Sequence, residues 1–93
     1  MVTAFVLINT ERKRVQETAE ALHKIVGVSE VYSVAGQYDL VAVIRMKSNE
    51  EIAGLITGSL LKMEGIQKTE TLIAFACYSR YDMEHLFAIG QDS

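Results

Sequence analysis

The apolar positions change period several times along the chain, and each change marks an element. Val2 to Ile8 is an almost unbroken apolar run, rich in β-branched and aromatic residues and short enough for a strand. Thr10 stands where a helix N-cap would, and Val15, Ala19, Leu22 and Ile25 follow at helical spacing. Gly27 can take the left-handed conformation that stops that helix. Val28 to Ala35 alternates loosely, as a strand with one wet face does; Gly36-Gln37-Tyr38-Asp39 reads as a turn, and Leu40 to Met46 as another apolar strand. Ser48 and Glu51 have capping-box spacing, in which each side chain satisfies a free amide at the helix start. Ile52, Leu55, Ile56, Leu60 and Met63 make the stripe of the second helix, ended by Gly65. Ile66 to Cys77 is the last strand, and Met83, Leu86 and Phe87 recur at helical spacing in the tail.

The predicted order is β-α-β-β-α-β with a short C-terminal helix. Laying Thr10 on Ser48 also lays Leu22 on Leu60, Lys24 on Lys62, Gly27 on Gly65 and Val28 on Ile66, so caps, stops and strand starts coincide. Two matching βαβ halves are the pattern of an α+β, ferredoxin-like fold, a four-stranded antiparallel sheet with two helices on one face.

Two helices cover one face of such a sheet, yet the strands are apolar on both. Phe5 and Leu7 oppose Ala4, Val6 and Ile8; Val41 and Val43 oppose Leu40, Ala42 and Ile44; Leu72, Ala74 and Ala76 oppose Ile73, Phe75 and Cys77. Interior strands of this fold are often apolar on both sides; the sharper reading is that a patch of that size calls for a partner, and a closed two-fold homodimer, a dimeric α/β sandwich or barrel, is the commonest solution. Covering ~600–800 Å² per chain at ~25 cal/mol/Å² outweighs the cost of association. Gly54 and Gly58, four apart, either leave a bare strip on the second helix that would admit a close neighbour or are merely tolerated in a frayed helix.

Composition narrows the function. At 93 residues the chain is one domain, divided here into a core (1–77) and a C-terminal extension (78–93) that is expected to form an oligomer contact. Nine Lys+Arg against twelve Asp+Glu give a net charge of −3, the wrong sign for direct DNA binding. A single cysteine, Cys77, rules out an internal disulfide and is expected as a small buried hydrophobe. No apolar run approaches the ~20 residues of a membrane span and no basic leader opens the chain, so a cytoplasmic, non-membrane module is expected.

Catalytic constellations are scarce. His23 and His85 lack metal-ligand spacing, no phosphate loop or nucleophile elbow occurs, and the Glu11-Arg12-Lys13-Arg14 run reads as a solvated surface. Neither an enzyme nor a cofactor is expected. Two segments carry binding chemistry. The turn Gly36, Gln37, Tyr38, Asp39 offers backbone amides to a small carboxylate and Asp39 to an ammonium group, although it also reads as an ordinary hairpin turn. Thr69 and Thr71 place two hydroxyls on one face of the last strand, where threonine is also simply a good strand former.

Gly-Val opening the strand at Val28, Gly-x-Tyr-Asp closing the hairpin at Asp39, Gly65-Ile66 and Thr69-x-Thr71 together resemble the effector-binding (RAM) domain of Lrp/AsnC transcription regulators, over about residues 2–76. The chain looks like a stand-alone form without the helix-turn-helix domain. The resemblance implies dimers through the sheets and larger rings, octamers or decamers. It further implies an amino acid or similar small effector between dimers, touching Gly36, Gln37, Tyr38, Asp39, Thr69 and Thr71. Regulation of full-length Lrp/AsnC proteins is the implied output. Two other readings share the strand order: a small dimeric α+β-barrel enzyme of the monooxygenase type, and an ACT-like metabolic regulatory subunit.

Overall fold

The computed structural model describes residues 1–80, so Met83, His85, Leu86 and Phe87, with the predicted C-terminal helix, lie outside the described residues. Four strands, β1 (Val2–Thr10), β2 (Val28–Ser33), β3 (Leu40–Met46) and β4 (Ile66–Ile73), form one sheet in the order β2-β3-β1-β4, antiparallel throughout. Helices α1 (Val15–His23) and α2 (Asn49–Gly58) complete the βαββαβ order, α1 packing over β2 and β3 and α2 over β3. This is the ferredoxin-like architecture.

Alternation builds the core. Ala4, Val6 and Ile8 of β1 stand opposite Ile44, Ala42 and Leu40 of β3, and all six are fully buried beneath Leu22, Ile52, Leu55 and Leu60. Burying each large side chain contributes about 1.5–3 kcal/mol relative to leaving it in water.

Several boundaries differ from those expected, each for a physical reason. Thr10 is no helix cap: it ends β1, and a 3-10 turn (Arg12–Arg14) with Glu11 at its head precedes α1. The Ser48 hydroxyl does cap α2, accepting from the Glu51 amide at 3.2 Å, but the Glu51 carboxylate reaches past Ser48 to the Lys47 amide at 3.0 Å. Helix α2 stops at Gly58 because the Thr57 hydroxyl donates back to the Ala53 carbonyl (2.9 Å) and glycine is a poor helix former. A separate 3-10 turn, Leu60–Lys62, then delivers Leu60 to the core.

Gly27 has φ +102°, the left-handed stop expected, whereas Gly65 does not have a positive φ. Gly65 is a glycine for another reason: a Cβ there would run into the Thr18 hydroxyl of α1, and its carbonyl accepts the Glu11 amide at 3.0 Å. Gly54 and Gly58 face open space, so no neighbour among the described residues uses their bare strip.

Strand β2 ends at Ser33 instead of Ala35, and β4 at Ile73 instead of Cys77. Ala74 donates its amide to the Thr3 carbonyl at 2.9 Å, and the segment beyond it leaves the sheet. Phe75 is 99% exposed and Tyr78 94%, and Cys77 is exposed as well, not the buried hydrophobe expected.

Candidate functional site

The turn between β2 and β3 sits at the end of the sheet where β1 finishes. Gly36 takes φ +139°, and Gly36 and Gln37 are exposed while Tyr38 and Asp39 are half-buried. Three bonds fix Asp39. Its amide donates to the Ile8 carbonyl (2.9 Å), its carbonyl accepts from Val34 (3.0 Å), and its carboxylate Oδ2 accepts from the Thr10 amide (2.9 Å). The side chain proposed from sequence to receive an ammonium group thus also ties the turn to β1, with one oxygen so engaged. A charge-assisted bond of this kind is stronger than a neutral one and holds the exposed part of the turn in one shape.

Thr69 and Thr71 stand opposite Ile8 and Val6, on the face that carries the core, Thr69 half-buried and Thr71 exposed. Ile8 is also paired with Leu40, so Thr69 and the turn flank β1 from opposite sides. With strands about 4.8 Å apart, they lie about 10 Å from each other. The structure brings the turn and Thr69 to one end of the sheet, with Thr71 nearer its middle opposite Val6, and does not close the six residues round a common point.

Two clefts lie elsewhere. One of about 630 Å³ opens between the departing segment (Ala74, Phe75, Tyr78) and Thr3, Phe5 and Arg45 on the uncovered sheet face. The other, about 240 Å³, lies between α1 and Gly65, beside Arg14. Arg14 is paired with Glu11 (3.4 Å) and Glu64 (3.5 Å), so the basic run helps to hold the start of α1.

The uncovered face is apolar along its middle and charged at its sides. Phe5, Leu7, Val41 and Val43 fill the centre; β2 adds Glu30 and Tyr32, and β4 adds Lys68, Glu70 and Leu72. One cluster here went unnoticed in the sequence. The Tyr32 hydroxyl donates to Glu30 Oε2, and Arg45 meets Glu30 Oε1 at 3.2 Å. The Tyr32 bond, then that of Arg45, holds the Glu30 carboxyl below its usual range, and the same bond to Glu30 raises the Tyr32 hydroxyl. The signal was present, since Glu30 and Tyr32 alternate onto one side of β2, but Arg45 joins them only through the strand register.

Among the described residues no group of three or more His, Cys, Asp or Glu side chains could hold a metal, and no helix is long and apolar enough to cross a membrane.

Known proteins share this fold. Residues 3–83 match the family model of the Lrp/AsnC ligand binding domain. The crystal structure of TTHA0845 from Thermus thermophilus is 50% identical with a TM-score of 0.81, covering 86% of this chain and 100% of that one. The HTH-type transcriptional regulator PH1916 of Pyrococcus horikoshii is 36% identical over 76 residues, 78% of this chain and 51% of its own length. The chain thus spans about half the length of the curated relatives it matches. The transcriptional regulator NMB0573 of Neisseria meningitidis, solved as a complex with L-Met, shares the fold at 16% identity and a TM-score of 0.77, over 85% of this chain and 53% of that one. The family model and the fold agree, and the chain belongs to the Lrp/AsnC ligand-binding domain family.

Proposed function

We propose that the chain is a cytoplasmic, non-catalytic regulatory module. In this reading it assembles through its uncovered sheet face and binds an amino acid, or a similar small effector, between copies. The observation that carries the reading is the turn: exposed Gly36 and Gln37 held on an Asp39 that is bonded to both Ile8 and Thr10. Such a rigid loop offers amide donors to a carboxylate without an ordering cost at binding. The distance from the turn to Thr69 favours a ligand that touches two chains over one enclosed by a single chain. The L-Met complex of the Neisseria regulator supports an amino acid as the class of ligand. Relatives that are transcriptional regulators support an output on Lrp/AsnC proteins, and the net charge of −3 supports an output exerted without this domain touching DNA.

The mechanism is linkage. An amino acid that binds the assembled form better than separated chains shifts the assembly by that difference in affinity, and assembly changes its affinity by the same factor. Titration with the common amino acids, followed by calorimetry and thermal melting, tests it. A subset should bind and raise the melting temperature, and Gln37→Ala should weaken binding about tenfold with the unliganded melt unchanged. Absence of any response to all of them would refute the reading.

A further inference from the structure

Strand β4 is an edge strand, paired with β1 alone. The direction of its backbone groups follows from two bonds. Ala74 donates to Thr3 across the β1–β4 pair, and Asp39 donates to Ile8 on the other side of β1. Odd-numbered residues of β1 therefore turn their backbone toward β4 and even-numbered ones toward β3. In an antiparallel ladder hydrogen-bonded residues face each other, so Lys68, Glu70 and Leu72 aim inward at Asn9, Leu7 and Phe5. Thr69, Thr71 and Ile73 carry their amides and carbonyls outward, on the free edge.

Proteins usually guard such an edge with lysine, proline or a bulge. Here a bulge at Gln67 and Lys68 guard the start of the strand, while Thr69 to Ile73 carry neither proline nor bulge. Lys68 is followed two residues later by Glu70 on the same face, both are exposed, and among the described residues neither makes an ion pair. A lysine and a glutamate spaced in this way are complementary to their own reversed copy.

We propose that the free edge of β4 pairs antiparallel with the β4 edge of a second copy, about a two-fold axis through Thr69, joining two sheets into one. In that register Thr69 meets the partner's Thr69, outward backbone groups against outward backbone groups, and Thr71 comes opposite the partner's Gln67, the extra residue where the β1–β4 register shifts. Lys68 lies opposite the partner's Glu70, and Glu70 opposite the partner's Lys68. The adjacent registers that also match outward groups set Lys68 against the partner's Lys68, or Glu70 against the partner's Glu70. Like charges directly opposite are destabilising, so the strand's own charges select the register.

One consequence deepens the proposed effector site, and it alone rests on that reading. Thr69 and Thr71 of both copies come together along the seam on the helix-bearing face, a row of hydroxyls that a single chain does not complete. The apolar open face remains available to a different copy, so two kinds of contact allow assemblies larger than a dimer.

The register predicts one cross-link. Hydrogen-bonded residues directly opposite have Cα atoms about 5.5 Å apart, inside the range a disulfide spans. In the full chain carrying Cys77→Ser, Thr69→Cys should oxidise to a covalent dimer in high yield under a mild oxidant. Thr71→Cys, several residues from its own copy, should not. Charge reversal gives an independent readout by sedimentation: Lys68→Glu or Glu70→Lys should each weaken this contact at least tenfold at low salt, and the double swap should restore it. A Thr69→Cys chain that stays monomeric under oxidant, equal cross-linking at Thr71, or single reversals that sediment like the parent while melting normally would overturn the proposal. Amino-acid binding is read separately, so a chain that cross-links at Thr69 but answers to no amino acid would sink only the effector reading.

Discussion

On the helix side of the sheet, alternate residues of the two central strands leave water entirely: Ala4, Val6, Ile8, Leu40, Ala42 and Ile44. On the other side Phe5, Leu7 and Val41, from the same strands and just as apolar, keep part of their surface in water, Phe5 37% of it, and of the four central residues Val43 alone is buried. Beside Phe5, Leu72 is 47% exposed, and the segment that follows β4 carries Phe75 and Tyr78 almost wholly in water. The contrast separates two tasks. One face holds a single chain together, and the other, apolar in its middle with charges at its sides, has the character of an interface whose centre is dry and whose rim is polar.

If the faces divide the work in this way, substitutions on them should differ in kind. Leu40→Ala on the helix side should lower unfolding free energy by about 2–5 kcal/mol, seen as an earlier midpoint in urea. Phe5→Glu on the open side should leave the fold intact but split the assembly, weakening association by about 2–4 kcal/mol because a two-fold contact feels each substitution twice. Sedimentation should show that loss with the far-ultraviolet spectrum unchanged, and an unfolded Phe5→Glu chain would contradict the division. Asp39→Ala, at the end where the two faces meet, should cost about 1.5–3 kcal/mol through the lost bond to Thr10. The same change should also weaken amino-acid binding, while Asp39→Asn should recover part of the stability.

The smallest effect concerns pH at the rim. Glu30 is lowered from 4.5 by the Tyr32 and Arg45 bonds, so its contribution is present above the usual carboxylate range and lost as pH falls through the lowered value. Tyr32 is raised from 10.0, so its contribution holds below that pH and is lost as pH rises through the raised value. In an NMR titration Glu30 should titrate below 4.5, and Tyr32→Phe should return it toward 4.5. An unmoved Glu30 in that variant would show that the Tyr32 bond is not made in solution.

Much of the fold could be read from local pattern because local physics decides it. The apolar runs of β1 and β3, the left-handed Gly27 and the Ser48 cap each depend on residues a few positions apart. What escaped depends on distant partners. Thr10 has a cap-forming side chain, but its amide is taken by Asp39 and its hydroxyl is buried with no partner among the described residues. The stretch after Ile73 keeps a strand-like composition, yet β4 ends there and Phe75 and Tyr78 stand in water. The same limit applies to the site. The Gly36–Asp39 turn is legible as a turn, whereas the bond that stiffens it and the separation from Thr69 exist only once β1 lies between them.

Sedimentation equilibrium of the purified chain at micromolar concentration, with and without amino acids, goes to the centre of this picture. The expected result is a particle of at least twice the 10.3 kDa chain mass whose association constant shifts with a subset of amino acids. A well-folded 10.3 kDa monomer, unmoved by any of them, would contradict it.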